Sequence, residues 1–595
     1  MSMDASGIHH AGSLPEALFA TAEHSAARPA QWFRRDGDYL PITYAQLSER
    51  VRRIASGLLR AGIQPGDRIG LLMENRPEWA AIDYAILSVG AVTVPLYCSY
   101  RPQDMAFVLQ DAGAIAIFVS GGQLLRHLQQ AAPECPELRR IYSIENTTGD
   151  PLLESLDSLV AGDIETEQLQ ARLDGLDRDT LASLVYTSGT TANPKGVMLT
   201  HGNFLTNLEA VPGVFDLRED DRMLSFLPLA HALERMGGHF LVYSYGISVA
   251  FAERPDTVAK NLIEAEPTIL ISVPRMLEVV RSRMLLQVGK QSAWQQWMFR
   301  NYMRLFGRFR RHGLSGIEAL FFRMLDRLVG TAIRARFGGR LRLMVSGGAP
   351  LPIEVGEFFE DLGLPLIEGY GLSECAPLLT VNPLRDRRMG SVGPAAFGVE
   401  LRIAEDGEIL ARGGNIMPGY WNLPEATAET LDAEGWLHTG DVGTLDADGY
   451  LSITDRKKDL IVNSGGENIS PQRIESLLVS DEMIEQAVVF GDKRPYLVGL
   501  IVPDRDRSLA WAAEAGLPDT DWAHLCRADI FRKQIQARIN AMLKPLNPFE
   551  QVRRTLIVDK PLSIEDGLLT PTLKVKRRKV YEKFAAQLEQ LYEGS

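Results

Sequence analysis

The sequence LVYTSGTTANPKG at residues 184–196 joins a short apolar run to a loop of unusual composition. Residues 184–186 are apolar and β-favouring, so they predict a buried strand. The next ten residues contain four hydroxyl side chains, two glycines and one lysine. Backbone amides of a glycine-containing turn, hydroxyl donors and a lysine charge suit polyphosphate oxygens. The stretch therefore predicts a phosphate-binding loop at a strand end, with the candidate contacts Thr187, Ser188, Gly189, Thr190, Thr191 and Lys195.

This loop differs from the Walker phosphate loop at two positions. Pro194 stands where the Walker loop needs its second glycine, and Gly196 stands where a magnesium-binding Ser or Thr is required. A nucleotide would therefore be held in a different way. A generic surface loop rich in Ser, Thr and Gly is the alternative interpretation of the composition alone.

Strand-like and helix-like patterns alternate on both sides of the loop. Helical spacing of apolar residues after Thr43 predicts a helix, and Gly62 ends it. Short apolar runs predict strands at residues 69–73, 92–96, 115–119, 269–273, 343–345 and 364–367. Alternation of this kind is typical of an α/β fold with parallel sheets, in which ligands bind beyond the carboxyl ends of the strands.

The pattern changes near Gly393 to short β segments separated by Asp-Gly turns, such as Asp406-Gly407 and Asp448-Gly449. This indicates a small β unit at the end of the large domain. A mixed pattern of strands and helices follows residue 456. We therefore predict an N-terminal domain at residues 1–455 and a smaller α+β C-terminal domain at residues 456–595.

Length, composition and charge restrict the class of protein. A chain of 595 residues exceeds one compact core, and 45% hydrophobic with 23% charged residues is ordinary for a globular protein. The net charge of −13 disfavours a nucleic-acid binder. The four cysteines are too far apart to suggest a zinc site or a disulfide framework. Residues 1–30 lack the apolar run of a secretory signal, and no run of about 18 apolar residues occurs, so we expect a cytoplasmic protein whose membrane contact, if any, is peripheral.

From about residue 40 to 580 the chain resembles the adenylate-forming superfamily of acyl-CoA synthetases, peptide-synthetase adenylation domains and luciferases. Residues 186–196 resemble the signature that holds the β- and γ-phosphates of ATP, with Ala192 in place of the usual glycine. EGYGLSE at residues 368–374 resembles the next signature, in which the tyrosine stacks on adenine and the last glutamate binds magnesium. The resemblance implies a magnesium site at Thr190 and Glu374, and oxygen ligands suit that cation. It also implies ATP contacts from Glu368, Tyr370, Gly371 and Ser373.

Three further segments resemble parts of the same nucleotide site. SGGAP at residues 346–350 resembles the backbone that lines the adenine pocket, which would involve Gly347, Gly348 and Ala349; a tight turn alone is the alternative. TGD at residues 439–441 resembles the ribose site, which implies an ionised Asp441. DRKKD at residues 455–459 resembles the hinge signature, with Arg456 near the ribose and Lys458 at the pivot, although a solvated charge run would look the same.

The resemblance also implies a mobile C-terminal domain that serves two steps. The glycine loop at residues 464–471 would enter the active site for thioester formation, with Gly465 and Gly466 at the substrate. LTPTLKVKR at residues 569–577 resembles the segment that carries the adenylation lysine. We favour Lys574, and Lys576 is the alternative because the family's glycine before the lysine is missing.

Two segments and one insertion look like those of long-chain fatty acyl-CoA synthetases. They are LPLAHALER at residues 227–235, VPRMLE at residues 273–278 and the region from about 287 to 340. His231 would line the entrance to the acyl site, or it would serve a structural hydrogen bond. In the insertion, aromatic residues alternate with arginines, which fits either an amphipathic pair that touches anionic lipid or a partner, or long helices that pack their aromatics inward.

The sequence thus predicts a long-chain fatty acid–CoA ligase that uses ATP, Mg2+ and CoA and passes through an acyl-adenylate. Lys574, Thr190 and Glu374 are the expected catalytic residues. One alternative is an acyl-AMP ligase that loads an acyl carrier protein. Another, of a different class, is a non-catalytic lipid or nucleotide sensor.

Overall fold

A large eight-stranded sheet organises much of the chain before residue 456. The computed structural model describes residues 11–145, 151–187, 194–465, 467–517, 521–570 and 574–593. In spatial order the sheet contains Thr380–Val381, Leu366–Tyr370, Leu343–Ser346, Ile269–Ser272, Arg222–Ser225, Ser248–Phe251, Pro29–Arg35 and Asp38–Thr43. The six central strands are parallel, and an antiparallel strand closes each edge.

A second sheet of seven strands carries the predicted phosphate loop. Its spatial order is Leu153–Ser155, Arg140–Ser143, Ala116–Val119, Arg68–Leu72, Val92–Pro95, Leu181–Thr187 and Lys195–Thr200. The first six are parallel and the last is antiparallel. Strands such as Val92–Pro95 and Ala116–Val119 are buried at every position because both faces are covered, which explains their continuous apolar runs.

Smaller sheets follow in the remaining chain. Val399–Ile403, Glu408–Gly413, Leu437–Leu445 and Leu451–Arg456 form an antiparallel meander. The glycines of the two predicted Asp-Gly turns, Gly407 and Gly449, have φ of 84° and 82°, in the left-handed region that favours glycine. After residue 456 come the pair Ile461–Val462 and Asn468–Ile469 and the three-stranded sheet Ile484–Phe490, Leu497–Pro503 and Val552–Ile557.

Helices cover the sheets and form the insertion. The helix predicted after Thr43 begins with a capping box, in which the Thr43 hydroxyl accepts from Gln46 N while Gln46 Oε1 accepts from Thr43 N. The helices are Leu14–His24, Tyr44–Arg60, Pro77–Ser88, Pro102–Ala112, Gly122–Ala131, Leu156–Val160, Thr166–Asp174, His201–Ala210, Ala232–Glu234, Leu241–Ser244, Val258–Ala265, Pro274–Gly289, Ala293–His312, Gly316–Leu325, Thr331–Ala335, Ile353–Asp361, Pro424–Thr430, Pro471–Val479, Arg505–Glu514, Trp522–Arg527, Asp529–Leu543 and Arg577–Gln590.

Five clusters of buried apolar side chains hold these elements together. Three draw on residues before 455, and two draw on residues between 461 and 592. The predicted α/β class, with parallel sheets in the large part and a smaller α+β part, is confirmed. None of the described helices combines the length and apolar composition needed to span a lipid bilayer.

Candidate active site

A cavity of about 720 Å³ opens where the carboxyl ends of strands from both large sheets meet the small meander and the C-terminal part. Tyr370 and Ser346 end strands of the first sheet, and Thr187 ends a strand of the second. Arg456 ends the last meander strand, and Lys574 comes from the C-terminal part. All five residues line the cavity. Segments far apart in sequence therefore converge on one space, as expected of an α/β ligand site.

The described residues include only the two ends of the predicted phosphate loop. Thr187 and Lys195 are directly paired across the antiparallel strands Leu181–Thr187 and Lys195–Thr200, and both line the cavity. Gly196 packs against the ring of Tyr186, where an added Cβ would lie 3.1 Å from the ring. The predicted contacts Ser188, Gly189, Thr190 and Thr191, together with Ala192, lie outside the described residues.

Glu374 lies next to this loop and is held by an aromatic residue. The Tyr420 hydroxyl donates to Glu374 Oε1 at 2.8 Å, and Lys195 Nζ lies 4.6 Å from the centre of the Tyr420 ring. All three side chains line the cavity. A carboxylate and an ammonium group are thus fixed around one tyrosine at the loop end of the cavity.

Glycines shape the wall on the side of the first sheet. Gly347 and Gly348 follow the strand Leu343–Ser346, line the cavity, and Gly348 has φ of 81°. Gly371 follows Tyr370, and a Cβ at this position would lie 1.6 Å from the carbonyl oxygen of Pro377. Only a residue without a side chain fits there. The backbone at Gly371 therefore packs directly against the Pro377 carbonyl, next to Tyr370.

Asp441, Arg456 and Tyr370 form a polar cluster at the meander. Asp441 and Arg456 are directly opposite each other on neighbouring antiparallel strands, and Arg456 Nε lies 3.1 Å from Asp441 Oδ1. The Tyr370 hydroxyl donates to Asp441 Oδ2 at 2.8 Å. Burial raises the pKa of the Asp441 carboxyl, and the Arg456 charge and the Tyr370 hydrogen bond oppose that rise. The carboxylate thus has partners for both oxygens although only 4% of the residue is exposed.

Lys574 projects into the cavity from a short turn. Thr570 N donates to the Lys574 carbonyl, and Lys574 N donates to Thr570 Oγ1 at 3.0 Å. Three residues on, Arg577 makes a bidentate ion pair with Glu475 at 2.6 and 3.0 Å, which anchors the segment. Burial in the cavity and the Arg456 charge together lower the pKa of the Lys574 ammonium to about 8, while Asp441 and Glu374 act in the opposite direction.

His231 makes a structural hydrogen bond and also lies at the cavity. Its Nδ1 accepts from Leu233 N at 3.3 Å, which caps the short helix Ala232–Glu234. The residue also lines the cavity. Burial and the nearby Lys574 charge lower its pKa to about 4, so its ring is neutral at neutral pH.

The structure brings together most but not all of the residues proposed from the sequence. Those that line the cavity are Thr187, Lys195, His231, Gly347, Gly348, Tyr370, Gly371, Ser373, Glu374, Arg456, Lys458 and Lys574. Asp441 contacts two of them. Among the described residues, Glu368, Ala349, Gly465 and the alternative Lys576 are not part of the lining. Gly466 lies outside the described residues.

The sequence motifs did not identify several residues that line the cavity, and Tyr420 is the most informative of them. It lies in PGYWNLPEAT at residues 418–427, between the last residues of one meander strand and the start of the next. The signal available was a pair of aromatic residues in a turn-rich stretch. The position of Tyr420 beside Glu374 and Lys195 depends on tertiary contacts that no local pattern reveals.

Comparison with known proteins places this geometry in context. The AMP-binding enzyme family matches residues 18–421, and the AMP-binding enzyme C-terminal domain matches residues 458–595. The chain is 35% identical to the long-chain-fatty-acid–CoA ligase FadD15 of Mycobacterium tuberculosis, over 94% of this chain and 93% of that protein. It is 32% identical to the human long-chain-fatty-acid–CoA ligase 6, over 95% of this chain and 83% of that protein. The crystal structure of the anthranilate CoA ligase AuaEII in complex with anthranoyl-AMP is similar in fold, with a TM-score of 0.73 at 22% identity over 98% of this chain and 100% of that one.

Proposed function

The chain belongs to the AMP-binding enzyme family, and we propose that it is a long-chain fatty acid–CoA ligase. It converts ATP, a long-chain fatty acid and CoA into acyl-CoA, AMP and pyrophosphate through an acyl-adenylate. The observation that carries this proposal is the similarity, at 32–35% identity over nearly the whole chain, to enzymes named for that activity. The cavity supports it, because cationic and carboxylate groups from distant segments surround one space.

The side chains at the cavity have distinct parts in this reaction. Lys195, Thr187 and the loop between them bind the β- and γ-phosphates. Tyr370 and the glycines Gly347, Gly348 and Gly371 accept the adenine ring against bare backbone. Asp441 accepts hydrogen bonds from the ribose hydroxyls, and its pairing with Arg456 supports the ionised form that this role needs.

Adenylation follows from the charge of the reactants. A fatty carboxylate resists attack by a thiol because its negative charge opposes the nucleophile and its oxide is a poor leaving group. A carboxylate oxygen therefore attacks the α-phosphorus of ATP, the bond to the β-phosphate oxygen breaks, and pyrophosphate leaves. The Lys574 ammonium stabilises the negative charge that develops on the phosphate oxygens.

Magnesium fits the residues at the loop end of the cavity. One oxygen of Glu374 accepts from Tyr420, which leaves its second oxygen without a hydrogen bond from the described part of the chain. Carboxylate and hydroxyl oxygens are the ligands this hard cation prefers, so Glu374 with Thr190 would hold it. When bound, magnesium neutralises charge on the phosphate oxygens.

The second step uses the C-terminal part in a different orientation. We place the domain boundary near residue 455, which is consistent with apolar clusters that draw on residues either before 455 or from 461 onward. Rotation about Lys458 withdraws Lys574 and brings the loop with Gly465 and Gly466 to the acyl group. The CoA thiol then attacks the acyl carbon, AMP leaves, and the thiol proton passes to solvent.

Pyrophosphate release across a fatty-acid length series, with and without CoA, tests the proposed function. We expect release with long-chain acids and formation of acyl-CoA only when CoA is present. Thioester formed with an acyl carrier protein but not with CoA would instead identify a carrier-loading ligase. No release with any fatty acid would contradict both and favour a non-catalytic sensor.

We also propose that the protein works in the cytoplasm and touches a membrane peripherally through its helical insertion. Ile317, Leu320, Met324 and Leu328 follow helical spacing and are 87%, 70%, 46% and 59% exposed. The exposed rings of Trp294 and Trp297 stack on each other with centroids 4.8 Å apart. The Trp297 ring lies 6.1 Å, centroid to centroid, from that of Phe321 in the helix Gly316–Leu325, so aromatic rings accompany the apolar stripe, as in helices that lie in a bilayer surface.

Arginines around the stripe favour an anionic bilayer as its partner. Arg300, Arg323 and Arg327 are exposed, and none of them forms an ion pair within the described residues. Each arginine or lysine that lies near an anionic lipid surface contributes about 1 kcal/mol to the binding free energy. Other aromatic residues of the insertion, such as Tyr302 and Phe306, pack against Phe322, as the packing interpretation expects, and the lipid contact is proposed for the exposed stripe alone.

Vesicle flotation tests the membrane contact. We expect the protein to float with phosphatidylglycerol vesicles, to float less with phosphatidylcholine vesicles, and to lose flotation in the triple variant Ile317→Ser, Leu320→Ser, Met324→Ser. Phe397→Ser is the matched control, because Phe397 is also exposed, by 69%, but lies in the turn before the meander. Unchanged flotation of the triple variant would contradict the proposal. A dimer of the unmodified protein that the triple variant dissociates would also contradict it, because the stripe would then be a contact between two copies of the chain.

A further inference from the structure

The segment 417–421 connects the phosphate loop with the chain around Glu374. Met417 N donates to the Glu374 carbonyl at 2.9 Å, and Trp421 N donates to the Gly196 carbonyl at 2.8 Å. Between them, Tyr420 forms an isolated antiparallel bridge with Val197. The backbone of this segment is therefore fixed on one side to the strand that leaves the loop and on the other side to the glutamate.

The Tyr420 side chain lies between the two charged groups that this backbone brings near. Its hydroxyl donates to Glu374 Oε1 at 2.8 Å, and its ring lies under Lys195 Nζ at 4.6 Å. Only 7% of Tyr420 is exposed, so little water competes with this hydrogen bond. Because a carboxylate oxygen can only accept, the tyrosine hydroxyl is the donor.

We propose that Tyr420 is a positioning residue that holds Glu374 and Lys195 in one fixed arrangement for the metal-bound phosphates of the nucleotide. The proposal rests on the proposed function, since it takes Glu374 as the carboxylate for magnesium and Lys195 as the phosphate-binding cation. Partners that orient a ligating carboxylate typically change metal affinity by about 10- to 100-fold when removed. The ring adds a cation–π contact that keeps Lys195 near the same point.

Two substitutions separate the two contacts of Tyr420. Tyr420→Phe keeps the ring under Lys195 but removes the hydrogen bond to Glu374, whereas Tyr420→Leu removes both. We expect Tyr420→Phe to weaken Mn2+ binding to the enzyme–ATP complex by at least about tenfold, measured by electron paramagnetic resonance without fatty acid. We expect Tyr420→Leu to raise the KM for ATP as well, because Lys195 loses its support.

Tyr450 provides a closely matched control within the same chain. Its hydroxyl donates to Asp386 Oδ2 at 3.0 Å, and Arg388 lies over its ring at 3.8 Å, but it is not part of the cavity lining within the described residues. Tyr450→Phe should therefore leave Mn2+ affinity unchanged. Equal effects of Tyr420→Phe and Tyr450→Phe would reduce Tyr420 to a structural role and overturn the proposal.

A double-mutant cycle with Glu374→Gln makes the test independent of losses in stability. If Tyr420 acts through Glu374, Tyr420→Phe should change Mn2+ affinity by less than twofold in the Glu374→Gln background. Fully additive effects would overturn the proposal. Because the readout needs only ATP and Mn2+, it distinguishes failure of the positioning role from failure of the proposed ligase reaction, which the pyrophosphate assay reports.

Discussion

Burial and the neighbouring charges in the cavity set the pKa of Lys574. We predict that Lys574→Ala slows adenylation by about 10²- to 10³-fold, the typical cost of removing one donor to developing charge. Thioester formation from supplied acyl-AMP should be nearly unchanged. Rapid-quench measurement of the two half-reactions checks this. Lys576→Ala is the control, because Lys576 is not part of the cavity lining among the described residues, and a larger loss there would reverse the assignment.

The same lysine predicts a pH dependence with a definite sign. Its pKa is lowered to about 8, so the cationic form that stabilises charge is lost as pH rises through that value. The kcat/KM for ATP, which reports the free enzyme, should therefore fall above about pH 8. In Lys574→Arg, whose guanidinium stays charged, any residual activity should lack this fall. A profile that is flat to pH 10 in the unmodified protein would contradict the prediction.

At the residue scale, the sequence could not separate Lys574 from Lys576. The two lysines lie two positions apart, and the glycine expected before the lysine is absent. The structure distinguishes them through contacts distant in sequence, since Thr570 holds the Lys574 backbone and Arg577 anchors the segment to Glu475. Tyr420 was missed for the same reason, because its importance comes from two partners more than 40 residues away.

At the scale of elements, the turn after the strand Leu366–Tyr370 depends on one glycine. We predict that Gly371→Ala lowers the free energy of unfolding by about 1–3 kcal/mol and weakens ATP binding, because its Cβ would collide with the Pro377 carbonyl and displace Tyr370. Thermal unfolding and calorimetric titration with ATP check both effects. Gly289→Ala, at the end of the helix Pro274–Gly289, has open space around the added Cβ and should be neutral or slightly stabilising. Equal stability of the two variants would contradict the argument.

Strands were the elements that the sequence predicted best. Inner strands such as Val92–Pro95, Ala116–Val119 and Ile269–Ser272 are buried at every position, so they appear as short apolar runs. The predicted runs agree with Arg68–Leu72, Ala116–Val119 and Ile269–Ser272 to within about a residue or two. The order of the strands in each sheet and their register could not be predicted from the sequence. The pairing of Asp441 with Arg456 depends on an antiparallel register that includes a bulge, and only the folded meander defines it.

At the scale of the whole molecule, the sequence indicated a convergence of distant loops, and the cavity joins most of them. The residues Glu374, Asp441 and Arg456, drawn from three segments, lie at or against one space. Thr190 belongs to the part outside the described residues, so its place in the cavity stays a prediction. The convergence was predictable because strand ends of parallel sheets meet at one edge; the orientation of the C-terminal part was not, since no local pattern encodes it.

Among the ion pairs that cross the proposed boundary, the pair between Arg275 and Glu485 joins residues far from the hinge in sequence and bears on that orientation. Arg275, at the start of the helix Pro274–Gly289, lies 3.7 Å from Glu485 on the first strand of the C-terminal sheet, and each side chain is 35% exposed. The pair forms in the arrangement that places Lys574 in the cavity. A rotation of the C-terminal domain for the thioester step would separate the two charges. The pair therefore favours the adenylation arrangement by the amount that such a half-exposed contact contributes, about 0.2–1 kcal/mol.

Charge reversal across this pair tests whether domain orientation divides the two half-reactions. We predict that Glu485→Arg slows pyrophosphate release by up to about fivefold, spares thioester formation from supplied acyl-AMP, and is rescued by Arg275→Glu in the same chain. Glu400→Arg is the control. Glu400 lies 2.9 Å from Arg412 within the meander, so both residues of this ion pair lie on one side of the boundary. Equal slowing of both half-reactions by Glu485→Arg, or no rescue, would show that the contact is incidental. A selective and rescued effect would mean that a single surface ion pair shifts the balance between two orientations of the C-terminal domain.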